Sequence, residues 1–273
     1  MAEAKELFEA AKLQEAIEQL IGEVKANPAD TARRTFLFEL LCFAGDWDRA
    51  EKQLDVIGHQ SAQAEMGVMV YRANIKAERE RQRLFNEGVA PHFLKEPPAY
   101  VDLHIEAIKQ MIEGKAVEAR ATLDRAEEER PAISGKFDGQ EFQDFRDYDD
   151  LVAPVLELIV KDKYVWMPFE HIKSLSVAPP KQLRDLIWAS ASVEALDGTI
   201  GEVYVPSLYA GSSQHADDQV RLGRMTDWKQ IDVDLYRAAG LRLFLVDDAD
   251  KSLFEASGVE FNAVGEQSQA APS

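Results

Sequence analysis

Catalysis needs titratable or nucleophilic side chains that converge, and the spacing in this chain offers few. The lone cysteine, Cys42, sits in the apolar run Phe36-Leu37-Phe38-Glu39-Leu40-Leu41-Cys42-Phe43, where a small buried hydrophobe is expected and nothing polar lowers its pKa. The five histidines, His59, His92, His104, His171 and His215, stand far apart, none at helical ligand spacing from another or from the cysteine. No metal site and no cofactor is expected from them. Walker-type and G-x-G-x-x-G phosphate cradles are absent, as is a G-x-S-x-G nucleophile elbow. His215 with Asp217, Asp218 and Asp227 could be drawn as an acid/base or metal cluster, but acids and a histidine after Gly211-Ser212-Ser213 also describe an ordinary exposed loop. The expectation is a protein without catalytic residues; a hydrolase or small-ligand-binding protein using His215 and its neighbouring acids is the alternative.

Binding chemistry is better represented. Arg72, Lys76, Arg79, Arg81 and Arg83 form a basic stripe in an acidic protein, either a solvated, internally paired face or a docking surface. A second dense segment runs from Val205-Pro206-Ser207-Leu208-Tyr209 to Arg221-Leu222-Gly223-Arg224-Met225-Thr226-Asp227-Trp228. Arg221 and Arg224 flank a turn glycine, Asp227 is placed to pair with either, and Tyr209 and Trp228 add large apolar bodies with polar edges. These residues read either as a loop locking its own domain or as anchors of a protein interface, where Arg and Trp are enriched.

The elements that must carry these residues follow two patterns. Within the first half, small-x4-Ala-x3-Leu recurs as Ala11, Ala16, Leu20, as Gly45, Ala50, Leu54, and as Gly114, Ala119, Leu123, with Pro28 and Pro131 each 12 residues after the alanine. The first two copies are 34 residues apart, the period of tetratricopeptide repeats, in which a small residue lets paired helices approach. Thr31 to Phe43, a helix capped by Asp46 after a turn at Gly45, and helices over 64–86 and 99–113 complete a TPR-like α-α superhelix, with an insertion from Pro91 to Pro98. Residues 1–135 are assigned to it. Residues 136–163 read as an acidic linker followed by a connecting helix from Leu151 to Lys163.

Beyond Tyr164 the grammar changes to short β-prone runs: Tyr164 to Trp166, Ile172 to Val177, Leu186 to Leu196, Gly201 to Pro206, Leu241 to Val246 and Leu253 to Phe261. Asp197-Gly198 marks the clearest hairpin. Residues 164–264 are expected to form a small β-rich barrel or sandwich, and 265–273 a disordered tail, giving an α+β, two-part chain. Its 273 residues suit two domains, and its net charge of −18 repels phosphate backbones and anionic lipids, so neither nucleic acid nor membrane is an expected partner. The acidic N-terminus, Met1-Ala2-Glu3-Ala4-Lys5-Glu6, lacks a signal peptide's pattern, which points to the cytoplasm.

Pro168-Phe169-Glu170-His171-Ile172, Leu183-Arg184-Asp185-Leu186-Ile187-Trp188, Val205 to Ser212, Arg221 to Trp228, and Gly45-Asp46-Trp47-Asp48-Arg49-Ala50 together resemble the ImpE family, also called SciE type or TagJ. The likeness runs from about Leu7 to about Val246. The chain departs from the family pattern at Gly240-Leu241-Arg242-Leu243-Phe244, where a glycine-glutamine-arginine stretch is expected. This resemblance implies a non-enzymatic accessory component of the bacterial type VI secretion system that binds the small sheath subunit TssB and is linked to the ClpV ATPase of sheath recycling. A groove in the helical repeats would take the partner segment, with the β domain capping it.

Overall fold

The computed structural model describes residues 1–232 and 235–264; the tail at 265–273 lies outside the described residues. Helices come first: α1 (Ala2–Glu9), α2 (Leu13–Ala26), α3 (Thr31–Phe43), α4 (Trp47–Gly58), α5 (Ala62–Glu87), α6 (Ala99–Ile112) and α7 (Ala116–Glu129). Local sequence explains their ends. Asp30, Asp46 and Ser61 accept from the backbone N–H three residues on, at 3.0, 3.1 and 3.0 Å, capping α3, α4 and α5. Both α2 and α7 stop two residues before Pro28 and Pro131.

The repeated sequence pattern has a direct structural meaning. Ala11, Gly45 and Gly114 are the turn residues between paired helices, with φ of 53°, 69° and 75°. Each following alanine, Ala16, Ala50 and Ala119, is fully buried, and Leu20, Leu54 and Leu123 cover the seam. The helical half is thus consistent with TPR-like repeats.

Strands follow: β1 (Gly135–Phe137), β2 (Gln140–Phe142), β3 (Phe145–Asp147), β4 (Val155–Val160), β5 (Lys163–Pro168), β6 (Ile172–Val177), β7 (Trp188–Ala195) and β8 (Ile200–Pro206). After a short α8 (Asp218–Arg221) come β9 (Thr226–Asp232), β10 (Leu235–Gly240), β11 (Leu243–Val246), β12 (Ala249–Ser252) and β13 (Val259–Phe261). An antiparallel eight-stranded sheet runs β2-β1-β13-β6-β7-β8-β4-β5, with β12-β11-β3 and β10-β9 as smaller sheets. The terminal strands β2 and β5 of the large sheet do not pair with each other, so of the barrel or sandwich expected from the sequence the closed barrel is not formed and the sheet is open. Asp197-Gly198 turns the β7–β8 hairpin as expected, with Gly198 at φ 84°. The Pro91 to Pro98 insertion runs along β5, where His92 exchanges backbone bonds with Tyr164 and Trp166 and covers that strand's outer edge.

Pleating divides the sheet's side chains between two cores. Val155, Ile159, Tyr164, Trp166 and Trp188 share one core with the helices, whereas Leu156, Leu158, Val165, Met167 and Ala189 join Phe145 and Phe244 on the other side. The helix expected over Leu151–Lys163 is therefore a strand. Val155 through Ile159 are buried without interruption, and a short apolar run buried on both faces has no period to separate strand from helix. Likewise the acidic 136–150 segment holds three strands of three residues each, sewn to the C-terminal end by β1 with β13 and β3 with β11.

The turn residues supply a stability test. At Gly114 a side-chain methyl would project into open space, so Gly114→Ala should cost about 1 kcal/mol from the left-handed backbone alone. At Gly45 the added Cβ would also lie 2.6 Å from Ser213 Oγ. Chemical denaturation should show Gly45→Ala to be the more damaging of the two.

Candidate functional site

Five elements meet at a buried charge network between the helical layer and the sheet. Glu157 of β4, 1% exposed, accepts from Arg81 Nε at 2.7 Å and from Arg81 Nη2 at 3.0 Å. Arg242 reaches the same carboxylate and also Asp147 at the end of β3, while its Nε donates to Pro206 O at 3.1 Å. Tyr164 donates its hydroxyl to Glu157 and accepts from Trp166 Nε1 at 2.6 Å. On α5, Glu78 lies 3.5 Å from Arg81 and accepts from Trp188 Nε1 at 3.1 Å. The Trp188 ring in turn packs against Phe38, Tyr71 and Trp47.

The carboxylates respond differently to burial. For Glu157, desolvation is overcome by Arg81 and Arg242, which hold it well below the usual carboxylate range. Asp147 is pushed up to about 7 because burial outweighs the single Arg242 beside it. Burial likewise raises Glu78. His104, the buried histidine of α6, is held down to about 4 by desolvation and bonds through Nδ1 to Leu151 O at 3.2 Å, tying α6 to the β half as a neutral ring.

The basic stripe divides among separate partners. Arg72 pairs with Asp55 and Glu65, Arg79 with Asp48 and Glu51, Lys76 with Asp162 in the β4–β5 turn, and Arg83 with Glu87 on its own helix. Arg81 is 4% exposed, so it faces Glu157 and not solvent, and the five do not make one open surface. Helical periodicity placed them on α5 but could not say that this helix is flanked by α4 on one side and the sheet on the other.

The Arg/Trp segment acts within the chain as well. Asp218 accepts from Leu13 N at 2.7 Å at the start of α2 and pairs with Arg221 at 2.8 Å. Arg224 donates to Phe8 O and Glu9 O at 2.8 and 2.9 Å, satisfying the last carbonyls of α1, and its guanidinium lies over the Phe8 ring. Tyr209 is buried, donating to Leu243 O at 2.9 Å and accepting from Leu243 N at 3.0 Å. Trp228 packs against Tyr148. His215 and Asp227 do come together, at 3.1 Å, and the Asp217 N–H donates to His215 Nδ1. No serine, threonine or cysteine side chain bonds to His215 among the described residues. Nor do three His, Cys, Asp or Glu side chains gather there, or elsewhere among the described residues, in a way that could hold a metal ion.

Beside the α1–α2 corner, an apolar groove of about 660 Å³ opens between α1 and α3. Phe8, Phe36, Ala32 and Leu183 line it, with Lys5 and Glu9 among its polar residues. No helix of the described residues is long and apolar enough to cross a membrane.

A TPR-like helical layer joined through buried ion pairs to an open antiparallel sheet, with a groove beside α1 and α3, defines an α+β protein. The chain belongs to the ImpE family. The family model, described as "ImpE protein", matches residues 139–260. The chain is 34% identical over 258 residues to the type VI secretion system accessory component TagJ of Pseudomonas aeruginosa, covering 94% of this chain and 90% of that protein. The crystal structure of a Vibrio parahaemolyticus protein is also similar, with a TM-score of 0.88 at 26% identity over 95% of this chain and 97% of that one.

Sequence reasoning missed Glu157, Asp147, Arg242 and Glu78. Glu157 and Arg242 showed only as a charge inside an apolar stretch, as in Val155-Leu156-Glu157-Leu158-Ile159, and Asp147 and Glu78, set among other charged residues, gave no such signal. Glu157→Gln leaves two buried guanidinia facing an uncharged amide and should cost about 3–5 kcal/mol in urea unfolding, close to abolishing the fold. For Asp147 the sign is opposite to that of an ordinary paired acid. Its folded value of about 7 lies above the ordinary 3.8, so its contribution is complete below pH 3.8 and is lost as pH rises through 7. The unfolding free energy of Asp147→Asn should therefore fall less than that of the wild type as pH rises between those values, measured as the pH dependence of urea unfolding.

Proposed function

We propose that this protein is a non-enzymatic accessory component of a bacterial type VI secretion system, working in the cytoplasm as an adaptor. It binds a segment of the small sheath subunit, TssB, and through it serves ClpV-dependent recycling of contracted sheaths. Kinship with the Pseudomonas aeruginosa accessory component supports the system. The apolar groove between α1 and α3 carries the binding role. Its lining of Phe8 from α1 and Ala32 and Phe36 from α3 is apolar, which suits the apolar face of a docking helix. Its shape is held from behind, because Arg224 and Asp218 anchor the α1–α2 corner to the β half. A docking helix would therefore meet a preformed surface, with little ordering cost on this side.

Ala32 is exposed on the groove wall, so Ala32→Arg should block it without disturbing the core. Calorimetry with purified TssB should show affinity falling at least tenfold for Ala32→Arg and staying unchanged for Arg83→Glu, whose pair with Glu87 lies on α5. Equal binding by Ala32→Arg and wild type would remove the groove from the mechanism.

A further inference from the structure

A second cavity, of about 200 Å³, lies beside the C-terminal half of α5, where the helical layer meets the loop after β8. Phe43 and Phe85 supply apolar wall, and the Trp47 ring stands beside them. Gln82, Ser213 and Gln214 reach the same space from the two halves of the chain, and none of their side-chain polar atoms bonds within the described residues. Arg237 also faces it, its Nε donating to Asp149 at 3.1 Å while its terminal nitrogens bond to nothing among the described residues.

We propose that this cavity binds a small uncharged polyhydroxyl ligand, a monosaccharide or cyclic polyol. Three features select that class. Amide and hydroxyl side chains both donate and accept, and so do ligand hydroxyls, whereas a carboxylate or an ammonium group could satisfy only half of them. Below the cavity, Arg81 and Arg242 are both held by Glu157 and Arg237 by Asp149, so each cation is already engaged by an acid of the chain, and each of those carboxylates already holds donors that a ligand cation would have to displace. Size agrees: a cavity of about 150 Å³ holds benzene, and about 200 Å³ suits a six-membered ring carrying hydroxyls. Aromatic wall plus a few convergent polar groups is the usual make-up of a small-molecule site. The cavity is separate from the α1–α3 groove, so this inference stands or falls independently of sheath-subunit binding.

The test uses the full chain and ¹H–¹⁵N spectra, in which the Trp47 indole signal, assigned with Trp47→Phe, reports on the cavity. Titration with glucose and with myo-inositol should shift it saturably at millimolar concentrations, while succinate and spermidine should leave it in place. Gln82→Leu and, separately, the exposed Gln214→Ala should each weaken polyol binding about tenfold with unchanged melting temperature. Three results would overturn the proposal: no shift with either polyol, a saturable shift with a charged probe instead, or full affinity in both variants.

Discussion

Glu157 is the constraint around which the molecule is arranged. An ionised carboxylate at 1% exposure is tolerable only if opposing charges and hydrogen bonds come with it, and here they come from different parts of the chain: Arg81 from α5, Arg242 from the segment before β11, and Tyr164 from the neighbouring strand. Separating the helical layer from the sheet would strand a charge on each side. The helix-to-sheet packing is thus not a loose contact of two domains but one core with an ionic seam, in which the apolar faces of β4, β5 and β7 continue into the helical interior.

A second set of contacts repeats this logic at the surface. The loop around α8 offers an acid to the start of α2 and an arginine to the end of α1, meeting the unpaired N–H and C=O groups that helix termini leave. Arginines and acids that look like interface anchors in the sequence are used to aim α1 against α3. The consequence for function is indirect and physical: both walls of the groove are tied to the β half, α1 through Arg224 and α3 through the Arg184 guanidinium, which donates to Glu39 at 2.9 Å.

Much of the helical half was legible. The recurrence of Ala11, Gly45 and Gly114 marks positions where the chain turns with positive φ, and Asp46 and the prolines bound helices by chemistry that acts within a few residues. The β7–β8 hairpin was legible for the same local reason. By contrast, Val155 to Val160 looked helical because burial on both faces erases the alternation that identifies a strand, and residues 135–147 looked like a linker because strands of three residues are too short to show a period and two of the three, β1 and β3, also pair with distant strands.

For the site, residue types were visible and roles were not. Sequence alone determined the turn positions of the helical repeats, the cap at Asp46, an acidic chain with an arginine-rich α5, and the motifs that carry the family likeness. It did so because those properties depend on neighbours a few residues away. Only the tertiary structure decided that Arg81 is buried on Glu157 while Arg79 stays on the surface, two residues apart on one helix. Only it decided that Arg242, 85 residues from Glu157 in the chain, completes the seam. Charge pairing across such distances is settled by which faces pack, and the energy of a buried ion depends on partners that no local window contains.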